Sequence, residues 1–78
     1  MLDTEQKARL VALLPHVSHL DAMQLARVYN ETHRPAPPDR INWHDTAPYL
    51  DQLRTKGLLV TDHSRRWYDG MTLYKLNR

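Results

Sequence analysis

The chain is 78 residues long, contains no cysteine and carries a formal net charge of +2 at pH 7. This length predicts a single domain over residues 1–78, and the 41% hydrophobic content is enough for one compact core. Without cysteine, neither a disulfide framework nor a cysteine-ligated zinc finger can form. The first residues lack the basic and apolar regions of a secretory signal, and the longest apolar run, residues 10–14, is far below the ~20 residues of a membrane span. We therefore expect a cytoplasmic protein with no membrane partner.

The basic residues are concentrated in the second part of the chain. Residues 1–32 contain three Lys or Arg and four Asp or Glu, whereas residues 33–78 contain eight and five. The positive surplus after residue 32 permits a polyanionic partner such as nucleic acid. It is small beside the basic faces of strong nucleic-acid binders.

Two amphipathic helices are predicted in the first part. Residues 4–14 place leucines at helical spacing. Asp3 or Thr4 can cap this helix, and Pro15 ends it. Ser18 is the predicted N-cap of the second helix, which continues to about residue 32. The predicted buried face of the second helix comprises Leu20, Met23, Leu25, Ala26, Val28 and Tyr29.

The segment 33–42 carries three prolines in four positions. This pattern excludes a regular helix or a central strand and predicts a stiff, extended loop. The loop either acts as a rigid spacer or offers a polyproline-type ligand to a small adaptor domain.

The third helix is predicted to begin after a cap at Asp45 or Thr46, because Pro48 is tolerated only in a first turn. Trp43 would pack just before the cap as a hydrophobic staple. Gly57 supplies the left-handed residue that ends the helix. The predicted inward face consists of Tyr49, Leu50 and Leu53.

The last part of the chain predicts a hairpin. Residues 58–61 and 71–76 alternate well enough for two antiparallel strands. Their connection, residues 62–70, ends in the turn signal Asp69-Gly70. The predicted fold is therefore mainly α with a small antiparallel β-hairpin, an α+β domain of order ααα-ββ.

Two motifs stand out in this C-terminal part: Leu50-x-x-Leu53-x-x-x-Gly57-Leu58-Leu59-Val60 and, closing the chain, Leu73-Tyr74-Lys75-Leu76. Together with the element order they resemble the recognition helix and wing of the winged helix-turn-helix superfamily. The resemblance implies a three-helix winged-helix domain whose third helix enters the major groove of double-stranded DNA while the wing contacts an adjacent groove or the backbone. Candidate binding residues are then His44, Gln52, Arg54 and Lys56 on the helix and His63, Arg65, Arg66, Trp67 and Tyr68 on the wing. Further groove-facing positions are Asp45, Ala47, Pro48 and Asp51.

This helix departs from the usual working surface of the superfamily. Two aspartates and a proline on its leading face are poor partners for phosphates. Gln52 can recognise adenine and His44 can donate a hydrogen bond, but no arginine is placed to bind guanine through both of its acceptors. Arg54 and Lys56 lie near the helix C-terminus, where they also complement the helix dipole. The long segment between the second and third helices replaces a turn of roughly 3–4 residues.

The run Arg65-Arg66-Trp67-Tyr68 is the strongest functional candidate. Adjacent cations and aromatic rings on an exposed turn suit phosphate contact and base stacking. The same residue types dominate binding energy at protein interfaces. In a purely structural interpretation, the rings fold back over the core while the arginines are solvated.

No catalytic chemistry is predicted. The five histidines are scattered, and His16 with His19 would supply fewer ligands than the three or four that zinc sites normally use. Nothing marks a nucleophile, a glycine-rich phosphate loop or a pair of carboxylates in a cleft. We expect no enzyme activity, no metal and no cofactor.

The leading hypothesis is a small winged-helix DNA-binding protein, a transcription regulator of bacterial or phage type. A homodimer would double its modest basic surface. The alternative is a winged-helix protein–protein interaction module, such as a phage-encoded or accessory protein that docks on a larger assembly without binding DNA. In that case Asp45, Asp51 and the proline-rich loop join the wing in an interface of mixed charge.

Overall fold

The computed structural model describes residues 2–17, 20–62 and 72–77. Three α-helices are followed by two antiparallel strands, which confirms the predicted α+β domain of order ααα-ββ. The elements are α1 (Thr4–Leu13), α2 (Ala22–His33), α3 (Trp43–Thr55), β1 (Leu59–Thr61) and β2 (Tyr74–Leu76). Within these described residues, no helix is both long and apolar enough to cross a membrane.

The first helix begins where the sequence predicts and ends one residue earlier than predicted. Asp3 is its N-cap and accepts a hydrogen bond from the Gln6 N–H at 2.7 Å, while Gln6 Oε1 accepts from the Asp3 N–H at 2.9 Å. This reciprocal capping box satisfies two helix-end donors. The α-helix stops at Leu13, and Pro15 lies in a short 3-10 turn, Leu14–His16.

The second helix starts later than predicted. Its N-cap is Asp21 rather than Ser18, and the Asp21 carboxylate accepts from the Gln24 N–H at 2.8 Å. Asp21 is fully buried, so it satisfies a helix-end donor inside the core, where an unpaired amide would be costly. Met23 was predicted to point inward, but half of its surface is exposed.

The third helix starts earlier than predicted, with Asn42 as its N-cap instead of Asp45 or Thr46. Asn42 Oδ1 accepts from the His44 N–H at 2.9 Å, and Asp45 Oδ2 accepts from the Asn42 N–H at 3.1 Å. Pro48 therefore lies inside α3 rather than in its first turn. Its position is exposed, and a proline there cannot donate the hydrogen bond that a helix normally makes to the carbonyl four residues earlier.

Gly57 ends the third helix as predicted. Its φ of 87° is left-handed, the Gly57 N–H donates to the Arg54 carbonyl, and the Leu58 N–H donates to the Leu53 carbonyl, both at 3.0 Å. These two bonds form a Schellman motif. The chain then turns directly into β1, and Leu58, predicted as the first strand residue, lies before the strand and is exposed.

The two strands are short, and they pair Leu59 with Leu76 and Thr61 with Tyr74. Leu20 adds a single bridge at the outer side of β2, where the Tyr74 N–H donates to the Leu20 carbonyl at 2.8 Å. The segment before α2 is thereby fastened to the hairpin.

The core lies mainly between α2 and α3 and is closed by α1 and the hairpin. Thr46 is fully buried in it, and its Oγ1 donates to the Ala22 carbonyl at 2.7 Å. This bond joins the start of α2 to α3 by satisfying two buried polar groups together. The apolar side chains of the core include Leu10, Leu14, Leu20, Leu25, Tyr29, Ile41, Leu50, Leu53, Leu59 and Leu73.

Candidate binding surface

The outward face of α3 is formed by His44, Pro48, Asp51 and Thr55, which we call the α3 ridge. They follow one another at helical spacing and all four are exposed. The ridge lies opposite the buried residues Thr46, Leu50 and Leu53. It therefore contains one carboxylate and no Lys or Arg.

Arg54 is the arginine nearest to the ridge, and it forms an ion pair with Asp51. Arg54 Nη2 lies 2.7 Å and Nε 3.1 Å from Asp51 Oδ1, and both side chains are partly exposed. The hydrogen bonds that Arg54 donates to the Asp51 carboxylate raise the pKa of Arg54 above its ordinary value, and the negative charge of Asp51 adds to the effect. This ion pair makes Arg54 less available as the phosphate contact that the sequence predicts.

The N-terminal end of α3 carries an aromatic pair. The rings of Trp43 and His44 stack with centroids 3.7 Å apart and an interplanar angle of 30°. Trp43 was predicted as a staple packed before the helix, but it is the first helical residue and nearly half exposed. One face of its ring is covered by His44.

His44 and Gln52, the two predicted base contacts, line one hollow between α1 and α3 with a volume of about 430 Å³. Lys7 of α1 lines the same hollow, with its Nζ 5.8 Å from the centroid of the Tyr49 ring. Burial raises the pKa of the Tyr49 hydroxyl. The fold thus places a cation beside α3 that sequence reasoning left out, because Lys7 and Tyr49 are far apart in the chain.

Lys56 lies at the C-terminal end of α3 and is exposed. The Asn77 side chain donates to the Gly57 carbonyl at 2.9 Å, which ties the end of the chain to this corner. Lys75 is exposed on β2 opposite Val60. Lys7, Lys56 and Lys75 have no ion-pair partner among the described residues.

The predicted wing residues His63, Arg65, Arg66, Trp67 and Tyr68 lie outside the described residues. In the sequence they fall between Asp62, whose N–H donates to the Leu73 carbonyl at 2.8 Å, and Thr72. Of the nine predicted binding residues, the structure therefore places four, all of them on α3 or at its end.

A second concave surface, which sequence reasoning missed, lies between α2 and the chain that enters α3. This α2–α3 groove has a volume of about 750 Å³. Asn30 holds one wall in place, because its Nδ2 donates to the Ile41 carbonyl at 2.7 Å and its Oδ1 accepts from the Ile41 N–H at 3.1 Å. The lining residues are Met23, Ala26, Arg27, Asn30, Glu31, Arg34, Arg40, Ile41, Asn42 and Trp43.

The proline-rich loop forms the approach to this groove and is less extended than predicted. It contains a 3-10 turn, Pro37–Asp39, in which the Asp39 N–H donates to the Ala36 carbonyl at 2.8 Å. Arg34, at the end of α2, has a φ of 45°, the one left-handed non-glycine residue in the described chain. Among all the residues that the structure describes, no three His, Asp or Glu side chains come close enough to hold a metal ion.

Comparison of this chain with protein-family models, with curated proteins and with solved structures finds no match.

Proposed function

We propose that this protein is a small DNA-binding domain of the winged-helix type, a transcription regulator of bacterial or phage kind. The observation that carries the proposal is the continuity of an exposed helix with a hairpin. The α3 ridge is free of the core along its length, and the Schellman turn at Gly57 joins it directly to β1. An exposed helix of this kind matches the width of a major groove, while the neighbouring hairpin contacts the flanking backbone.

The phosphate contacts come from cations around the helix rather than from the helix itself. Lys7 lies on one flank of α3 and Lys56 at its C-terminal end, and Arg65 and Arg66 lie in the hairpin connection. Because Arg54 is paired with Asp51, base recognition depends on His44 and Gln52. This arrangement supports modest affinity with weak sequence preference, and a homodimer would double the number of phosphate contacts.

Duplex binding measured at several salt concentrations tests this function. Log K should fall linearly with log salt, and Arg65→Ala with Arg66→Ala should reduce the slope by about 1.8, the value for two phosphate contacts. Arg34→Ala with Arg40→Ala is the matched control, because it removes the same charge from the α2–α3 groove and should leave the slope unchanged. Absence of duplex binding at low salt, or equal slopes for both double variants, would contradict the proposal.

A second candidate is a winged-helix protein–protein interaction module that does not bind DNA. The Asp51–Arg54 pair favours it, because a ridge without a free cation is unsuited to phosphates. The described residues also contain eight Lys or Arg and eight Asp or Glu, so the basic surplus lies outside them. Affinity capture from the native host should then recover a stoichiometric protein partner that survives nuclease treatment. Loss of the partner after nuclease would reject this candidate.

A further inference from the structure

The α2–α3 groove has a positive surplus of charge, although Lys and Arg balance Asp and Glu over the described residues as a whole. Its lining contains three arginines and one glutamate. Arg27 Nε pairs with Glu31 Oε1 at 3.0 Å along α2. Arg34 and Arg40 have no acidic partner among the described residues. Two unneutralised guanidinium groups at one groove favour a ligand with negative charge.

The same groove exposes apolar surface. Met23 is 50% exposed and Trp43 is 46% exposed, and both line it. Ala26 and Ile41 also line it and are buried. Apolar side chains clustered at a concave site and bordered by charge are typical of a binding groove, whereas single exposed apolar residues need no explanation.

The groove is formed before any ligand arrives. The paired hydrogen bonds between Asn30 and Ile41 fix the distance between α2 and the chain that enters α3. Arg34 follows directly as the C-cap of α2, with its N–H donating to the Asn30 carbonyl at 3.0 Å. A preformed site loses little conformational entropy when a ligand binds.

We propose that the α2–α3 groove binds an acidic peptide segment of a protein partner, with an apolar side chain between Met23 and Trp43 and carboxylates at Arg34 and Arg40. Guanidinium groups bind carboxylates through paired hydrogen bonds. A peptide fits better than single-stranded nucleic acid because Trp43 is the one aromatic ring among the lining residues and His44 already covers one of its faces. The groove lies on the α2 side of α3, and none of its lining residues belongs to the ridge.

The test is a nuclear magnetic resonance titration of the full chain with synthetic probes. The first probe is a short peptide with a central Trp-Leu pair flanked by glutamates. The second carries lysines in place of the glutamates, and the third carries serines in place of the Trp-Leu pair. A short oligothymidylate is the nucleic-acid probe. We expect amide shifts of groove residues only with the first peptide.

Paired variants localise the effect. Arg34→Ala with Arg40→Ala should weaken the binding of the first peptide about five- to tenfold, because two partly exposed ion pairs with the peptide are lost. Lys56→Ala with Lys75→Ala removes the same charge elsewhere and should change affinity less than about twofold. Met23→Glu should prevent binding of the acidic peptide, whereas Met23→Lys should retain it. All of these side chains are exposed, and the backbone shift pattern of each free variant reports whether it is folded.

Several results would overturn the proposal. They are the absence of groove shifts with the first peptide at millimolar concentration, equal binding of the lysine or serine peptide, and equal weakening by the two alanine double variants. Tighter binding of oligothymidylate in the groove would replace the peptide with single-stranded nucleic acid. None of these results depends on duplex binding, so failure here differs from failure of the DNA proposal.

Discussion

Helix α3 contributes to two surfaces that differ in how their charges are used. On the α3 ridge the nearest arginine is neutralised by Asp51, and the remaining exposed groups are polar or apolar. On the α2 side, Trp43 lies in a groove that exposes apolar surface and in which Arg34 and Arg40 have no acidic partner among the described residues. The fold class alone would assign all binding to the ridge, but the chemistry of the groove is at least as suited to a partner.

The largest change in stability should follow from removing the groove clamp, the paired hydrogen bonds between Asn30 and Ile41 that hold the α2–α3 groove together. Asn30→Ala loses both hydrogen bonds to Ile41 and should lower the free energy of unfolding by about 1–3 kcal/mol, because the Ile41 backbone groups are left partly buried and unpaired. Chemical denaturation measures this change. Asn30→Asp keeps the acceptor and should lose less. Equal stability of Asn30→Ala and the parent chain would mean that the clamp does not hold the groove.

A substitution at Gly57, where α3 ends and the chain turns into β1, should lower the free energy of unfolding by a smaller amount. Gly57→Ala forces a side chain into a left-handed residue and should cost about 1–2 kcal/mol. An added Cβ meets no atom within 4 Å, so the cost comes from the backbone alone. Gly57→Asn should lose less, since asparagine adopts this conformation more readily. Thermal unfolding of the three proteins gives the order, and an alanine variant as stable as the parent would contradict it.

Freeing the ridge arginine should sharpen the difference between the two surfaces. Asp51→Ala should change stability by less than about 0.5 kcal/mol, because the pair is partly exposed. It should steepen the salt dependence of duplex binding by about 0.9, the value for one added phosphate contact. Asp51→Ala combined with Arg54→Ala should remove that gain. An unchanged slope in the single variant would show that Arg54 does not reach DNA.

The smallest effect concerns pH. Burial raises the pKa of the Tyr49 and Tyr74 hydroxyls above the ordinary value of 10.0, and for Tyr74 the charge of Asp51 adds to it. The neutral phenol is therefore favoured in the folded state, so its stabilising contribution is complete below about pH 10 and is lost as the pH rises through the raised pKa. Tyr49→Phe and Tyr74→Phe should each flatten the loss of stability above pH 10. A steeper loss in either variant would contradict the sign.

The local signals in the sequence predicted the element order well. Asp3, Pro15 and Gly57 each act within a few residues of their own position, and each does what its chemistry implies. The predicted starts of α2 and α3 were wrong because several possible capping residues lie close together in the sequence. The burial of Asp21 and the bond from Thr46 to Ala22 decide between them, and both depend on tertiary packing.

The candidate surfaces were harder to predict, because the contacts that form them join distant residues. Asn30 and Ile41 are separated by a whole loop, and Lys7 reaches α3 from the first helix. The pair of Asp51 and Arg54 was visible at helical spacing and could have been found. The expected wing contacts, from His63 to Tyr68, stay a prediction.

The central claim is that α3 separates two binding surfaces, and one titration tests it most directly. The labelled full chain is titrated first with a DNA duplex and then, in the same sample, with the acidic Trp-Leu peptide. The account predicts that the duplex shifts amides of Asp51, Thr55 and Lys56, while the peptide shifts those of Met23, Arg34 and Ile41 without releasing the duplex. Displacement of the duplex by the peptide, or shifts of the same amides by both, would contradict it.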